Sequence, residues 1–135
     1  MKQPFGGLIN VAASGTGLIP GIIQLVRART VTLTVQLTCG GGLTADPEID
    51  VLYSPDGRVW DTIPFTYFTL AFTAGAKIQR TMILDPPEHG YLRLSVLNKS
   101  AADVLTDVNI WYGIQSWPPE PALAHGAIDT RTLDG

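Results

Sequence analysis

The side chains able to do chemistry are few and scattered. His89 and His125 are the only histidines and Cys39 the only cysteine. A Ser-His-acid centre needs a base beside a nucleophile, and no Gly-x-Ser-x-Gly elbow stands before a helix-forming stretch. A Cys39–His89 pair needs an exposed thiolate. Cys39, however, falls on the apolar side of an alternating segment, where a buried small hydrophobe is expected. Two histidines and one cysteine without ligand spacing do not compose a zinc site. Asp46, Glu48 and Asp50 alternate along one ribbon and could face a hard cation, but they lack an EF-hand pattern. The expected reading is a solvated face that discourages edge-to-edge pairing. Paired carboxylates for glycoside cleavage depend on separation in space. Asp56 and Asp61 are the nearest candidates, and turn chemistry already accounts for Asp56. The glycines of Ser14-Gly15-Thr16-Gly17-Leu18-Ile19-Pro20-Gly21 lack the Gly-Lys-Ser/Thr and helix of a phosphate loop, so this stretch is expected to be a plain loop. These residues supply no catalytic or metal-binding set and no cofactor site.

The elements that would position any site are strands. The chain has 135 residues, 16% charged, with 14 glycines, 10 prolines and a net charge of −3. That length fits one domain with a core needing no disulfide or metal, and a lone cysteine permits no internal disulfide. Arg27, Arg29, Arg58, Arg80 and Arg93 do not cluster, and the net charge is negative, so nucleic acid is not an expected partner. No unbroken apolar run follows the first residues, and none approaches the roughly 20 residues of a membrane helix, so neither a secretory leader nor a membrane span is expected.

Val31, Leu33, Val35, Leu37 and Cys39 alternate with Thr32, Thr34, Gln36 and Thr38, predicting an antiparallel strand with one covered face. Shorter apolar runs predict strands at 8–13, 22–28, 47–53, 66–73, 77–84, 91–97 and 104–115. Val51 to Thr62 reads as strand, type I turn and strand. Ser54, Pro55 and Gly57 stand at the favoured turn positions, and Trp60 is placed to fold back over the hairpin and close one end of the core. No segment holds a sustained helical period. About eight short strands between Gly/Pro turns predict an all-β antiparallel β-sandwich of jelly-roll type.

At Ser116 the pattern changes. The sandwich is assigned to 1–115 and an extended C-terminal arm to 116–135. Trp117-Pro118-Pro119-Glu120-Pro121 cannot pair as a central strand. The large apolar residues Trp117, Leu123, Ile128 and Leu133 are too few to offset the backbone entropy of ordering the arm on a monomer. Two readings stand: an assembly arm that docks on a neighbouring subunit, or a disordered tail.

The run Tyr53-Ser54-Pro55-Asp56-Gly57-Arg58-Val59-Trp60-Asp61-Thr62, with Gln79-Arg80-Thr81 and Tyr91-Leu92-Arg93-Leu94-Ser95-Val96-Leu97-Asn98-Lys99, resembles small β-sandwich structural proteins of tailed bacteriophages. Those carry a Ser-x-Asp-Gly-x-x-Trp/Tyr-Asp-Thr hairpin and a Tyr-Leu-Arg-Val-x-Val-x-Asn strand. The resemblance covers Pro47 to Asn98. It implies a virion component assembled in the host cytoplasm, namely a capsid decoration protein or a head or tail accessory. Such a protein would oligomerise, bind other virion proteins and carry no catalytic residues. Similar turns occur in carbohydrate-binding modules. A glycan-binding reading would use Trp60, Trp111 and Tyr67 as stacking surfaces, with Asp61 or Asn109 as hydrogen-bonding partners. Trp111 falls on the polar face of its strand, where contact with a second subunit is the competing expectation. A small hydrolase with an unrecognised carboxylate pair is the third reading.

Overall fold

The computed structural model describes the backbone of residues 3–4 and all of residues 9–118. In chain order the strands are β1 (Gln3–Pro4), β2 (Ile9–Val11), β3 (Thr16–Leu18), β4 (Ile23–Leu25), β5 (Ala28–Cys39), β6 (Glu48–Ser54), β7 (Thr66–Thr69), β8 (Lys77–Leu84), β9 (Gly90–Leu97) and β10 (Leu105–Ser116). No helix long and apolar enough to cross a membrane occurs among the described residues.

The strands form two antiparallel five-stranded sheets. In sheet A, β1 and β2 both lie on the outer side of β10, followed by β5 and β8. In sheet B, β3 and β4 both lie on the outer side of β9, followed by β6 and β7. Counting each split pair as one position, the pairings are first with last, second with second-last, and so inward to β6 with β7. That nesting is the jelly roll. The chain is an all-β jelly-roll sandwich, as its alternation predicted.

The core lies between the sheets. Val31, Leu33, Val35, Leu37 and Cys39 of β5 are buried, as are Ile49 and Val51 of β6, Leu92, Leu94 and Val96 of β9, and Val108 and Ile110 of β10. Their period-two spacing turns one row per strand inward.

Four local expectations are corrected. The stretch 14–21 is not a plain loop: Thr16–Leu18 pairs with Leu97, Val96 and Ser95. The run 22–28 is not one strand, because Arg27 takes a φ of 50° between β4 and β5. The run 66–73 is a strand only to Thr69, after which Asp46 Oδ1 accepts from Phe72 N at 3.1 Å and fixes the exit. The segment after Gly57 is not an immediate second strand. Residues 55–65 run as irregular backbone beside β6, tied by Asp61 N to Tyr53 O (3.0 Å) and Phe65 N to Val51 O (2.7 Å).

The Ser54-x-Asp56-Gly57 turn is held by side chains. Ser54 Oγ, fully buried, accepts from Gly57 N at 2.8 Å, and Asp56 Oδ1 accepts from Arg58 N (2.8 Å) and Val59 N (3.0 Å). The N–H groups of Val59 and Arg58, aided by the Ser54 hydroxyl, hold the Asp56 carboxyl below the ordinary range. At the far end of the sandwich, Asn98 does similar work. Its Nδ2 donates to Asp103 O at 2.8 Å and Ala12 O at 3.2 Å, and its Oδ1 accepts from Ser100 N at 3.0 Å. Asp103 Oδ2 accepts from Gly42 N at 2.8 Å. A Cβ on Gly40 would meet that same carboxylate, so a larger residue there would push Asp103 off its bond to Gly42 N.

Candidate functional site

Two surfaces remain once the core is assigned, one on the outer side of each sheet, and their chemistries differ.

On sheet A the outward row of β5 is Thr30, Thr32, Thr34, Gln36 and Thr38. The register sets Gln36 between Asn109 and Gln79, Thr34 between Trp111 and Thr81, and Thr32 between Gly113 and Ile83. Side-chain hydrogen bonds bind the rows together: Gln36 Nε2 to Gln79 Oε1 at 3.1 Å and Thr34 Oγ1 with Thr81 Oγ1 at 3.0 Å. Thr34 is buried although it points away from the core. Ile83 stands 69% exposed. Between Lys77 at one end and Arg29 at the other, the one charged residue described on the outward side of these three strands is Asp107, exposed at the β10 irregularity beside the Lys77 end.

On sheet B the outward rows are ionic and aromatic. Ser95, Asp50 and Tyr67 form one row, Leu97, Glu48 and Thr69 the next, and Arg93 sits opposite Leu52. Lys99 Nζ lies 2.7 Å from Glu48 Oε1. The Arg93 guanidinium covers the Trp60 ring at 4.5 Å from its centroid. Burial, reinforced by the hydrogen bond and charge of Glu48, raises the Asp50 pKa to about 6, with Lys99 opposing. Glu48 moves the other way, held below the carboxylate range by its bonds to Asp50 and Lys99. Asp50 Oδ1 and Arg93 Nε are both shut off from solvent without a hydrogen-bond partner.

Several sequence expectations change. Glu48 and Asp50 lie on β6, which is paired on both sides, so they do not guard a sheet edge. Asp46 caps the chain near Phe72 instead of joining them. Among the described residues no set of three or more His, Cys, Asp or Glu side chains is gathered as metal ligands. Trp60 does not close the core; it is half-buried on the outside of sheet B under Arg93. The proposed stacking residues do not share a surface. Trp60 and Tyr67 belong to sheet B, while Trp111 and Asn109 lie on the outside of sheet A.

Cys39 is buried as expected, and desolvation raises its pKa, which favours the thiol. It ends β5. His89 adjoins Glu88, whose carbonyl accepts from Ala28 N at the start of that strand, so the two are at opposite ends of β5. Trp117 is not projected away from the body: its N–H donates to Arg27 O at 2.7 Å, and Arg29 lies over its ring at 5.0 Å. Leu123, Ile128, Leu133 and His125 lie outside the described residues. Sequence reasoning missed Asp50, Arg93 and Lys99 as members of a constellation. A carboxylate alternating with Glu48, and an arginine on the wet row of the Tyr91–Leu97 strand, were the only signals.

Comparison with protein-family models returned no match, and neither did comparison with curated proteins.

Proposed function

We propose that the chain is a non-enzymatic virion structural protein, a capsid decoration or head or tail accessory, that oligomerises and binds a protein lattice. The observation that carries this reading is the outer face of sheet A. It presents Thr, Gln and Asn side chains, Trp111 and the exposed Ile83, with charge confined to its two ends. Depletion of charge around an aromatic residue is the compositional mark of a protein–protein contact. A hydrogen-bonded Thr/Gln ladder with few charges suits face-to-face contact with another sheet surface, a second copy first of all. The resemblance of the Tyr53–Thr62 and Tyr91–Lys99 segments to phage structural proteins gives that assembly its context.

The test has two stages. Light scattering across a dilution series measures the mass of the full chain, and co-sedimentation with purified tailed-phage heads and tails measures lattice binding. A defined oligomer that pellets with one of the two particles supports the reading. A strict monomer that pellets with neither overturns it.

A further inference from the structure

We propose that the outer face of sheet B is a binding site for a neutral saccharide, with Tyr67 as its stacking platform and Asp50 and the Glu48–Lys99 pair as its hydrogen-bonding groups. Tyr67 is 65% exposed on a short edge strand, a placement that contributes nothing to the core. Its row continues directly into Asp50 and Ser95, so the ring stands at the rim of a polar strip. On the next row Glu48 and Lys99 neutralise one another at 2.7 Å. Trp60, fixed by the Arg93 guanidinium, bounds the surface toward the Ser54–Gly57 turn.

The chemistry selects the ligand. A purely apolar partner would strip water from Asp50, Glu48, Lys99 and Arg93 without replacing their hydrogen bonds. An anion meets two carboxylates, and a cation meets Arg93 and Lys99. A pyranose brings an apolar C–H face for the Tyr67 ring and vicinal hydroxyls that both donate and accept. Two polar atoms on this face have no partner, Asp50 Oδ1 and Arg93 Nε. Both are screened by neighbours. Across the ladder from Asp50 the neighbour is Tyr67, an exposed side chain able to change rotamer on contact with a ligand. A sugar hydroxyl that reaches Asp50 satisfies an acceptor that the free protein leaves unmade.

This site lies on the opposite side of the sandwich from the face assigned to assembly, so one chain can use both at once. Its test is independent of that assignment. The full chain is titrated with a panel of neutral oligosaccharides built from glucose, mannose, galactose and N-acetylhexosamines, followed by calorimetry and backbone amide NMR shifts. At least one panel member binds saturably and moves the amides of β6, β7 and β9. Tyr67→Ala and Asp50→Asn each weaken that binding by about tenfold or more, and Trp111→Ala binds as the wild type does. The proposal is overturned by a panel that never saturates, by binding that needs Trp111 and not Tyr67, or by a Tyr67→Ala variant whose only change is a lower solution mass. The last result would make this face a protein contact.

Discussion

Asp50 is the residue whose environment departs furthest from what its type suggests. Its folded-state pKa of about 6 stands above the ordinary aspartate value of 3.8 because burial and Glu48 disfavour its charge. Between those two values the folded chain holds a proton that the unfolded chain has released. Stability contributed by this group therefore falls as pH rises through that window, and the full penalty is present above the folded pKa. The groups facing it are Glu48, Lys99, Tyr67 and Ser95. Glu48 works in the opposite sense, losing its stabilising interaction as pH falls below the ordinary carboxylate range. The clean readout is thus a difference between variants. Thermal melts from pH 7.5 to pH 5 are expected to show a rise in Tm for the wild type relative to Asp50→Asn, with the isosteric amide giving a flatter profile. Parallel profiles for the two proteins would show that Asp50 ionises freely. The sequence placed Asp50 on the outward row correctly. It did not show that β6 has neighbours on both sides, and that neighbourhood is what removes water from the carboxylate.

At the scale of elements, long alternating strands were legible and short ones were not. Val31 to Cys39 declares its faces by itself, because a one-residue slip would expose every apolar side chain. Thr16–Leu18 carries no such pattern; its three residues are a strand because Leu97, Val96 and Ser95 offer a partner edge. The bulge in β10 was also hidden. Asp107 takes a φ of 52°, its N–H donates to Asn10 Oδ1 at 3.1 Å, and the inward row jumps from Leu105 to Val108.

Asn98 and Arg80 each close an open end of the sandwich. Asn98 serves three backbone groups from one buried position. Asn98→Ala should cost about 3 kcal/mol or more in urea unfolding, since each of the three orphaned groups carries its own desolvation penalty of roughly 1–3 kcal/mol. A loss below about 1 kcal/mol would mean that water replaces the amide. Arg80 stands on the inward row of the edge strand β8, opposite Val35. It covers the Phe68 ring at 5.8 Å and donates to Thr69 O at 2.6 Å, spanning the gap between the free edges of the two sheets. An inward-pointing charge on an edge strand is a known guard against edge-to-edge pairing. Arg80→Val is expected to leave the far-ultraviolet circular dichroism unchanged and to speed aggregation, seen as turbidity on mild heating. Unchanged turbidity would show that the edge is protected by something other than Arg80.

At the scale of the whole molecule, the jelly roll turns one sequence into two surfaces of opposite character. Period two is what makes this possible: the residues between core positions are free to be chosen for function. The candidate aromatics Trp60, Tyr67 and Trp111 were all visible in the sequence. Which of them share a face was not, because a face is defined by the sheet a strand joins, and that is fixed by pairings between distant segments. The stacking of Arg93 on Trp60 brings together two such segments and has no local signature. The charge-free row on sheet A was half-visible in the Thr and Gln residues of β5. Only the register added Asn109, Gln79, Thr81 and Ile83 to it.

The outer face of sheet A is the surface we propose for assembly. Sedimentation equilibrium on three proteins tests it: the wild type, Ile83→Glu and Tyr67→Ala. Ile83 is exposed at the edge of that face and buries nothing in the core, so the charge it receives should disturb contact between copies and leave the fold intact. An oligomer is expected for the wild type and Tyr67→Ala, and a monomer, or an affinity lowered by about tenfold or more, for Ile83→Glu. An Ile83→Glu protein that sediments as the wild-type oligomer, or a wild type that is monomeric at every concentration, would contradict it.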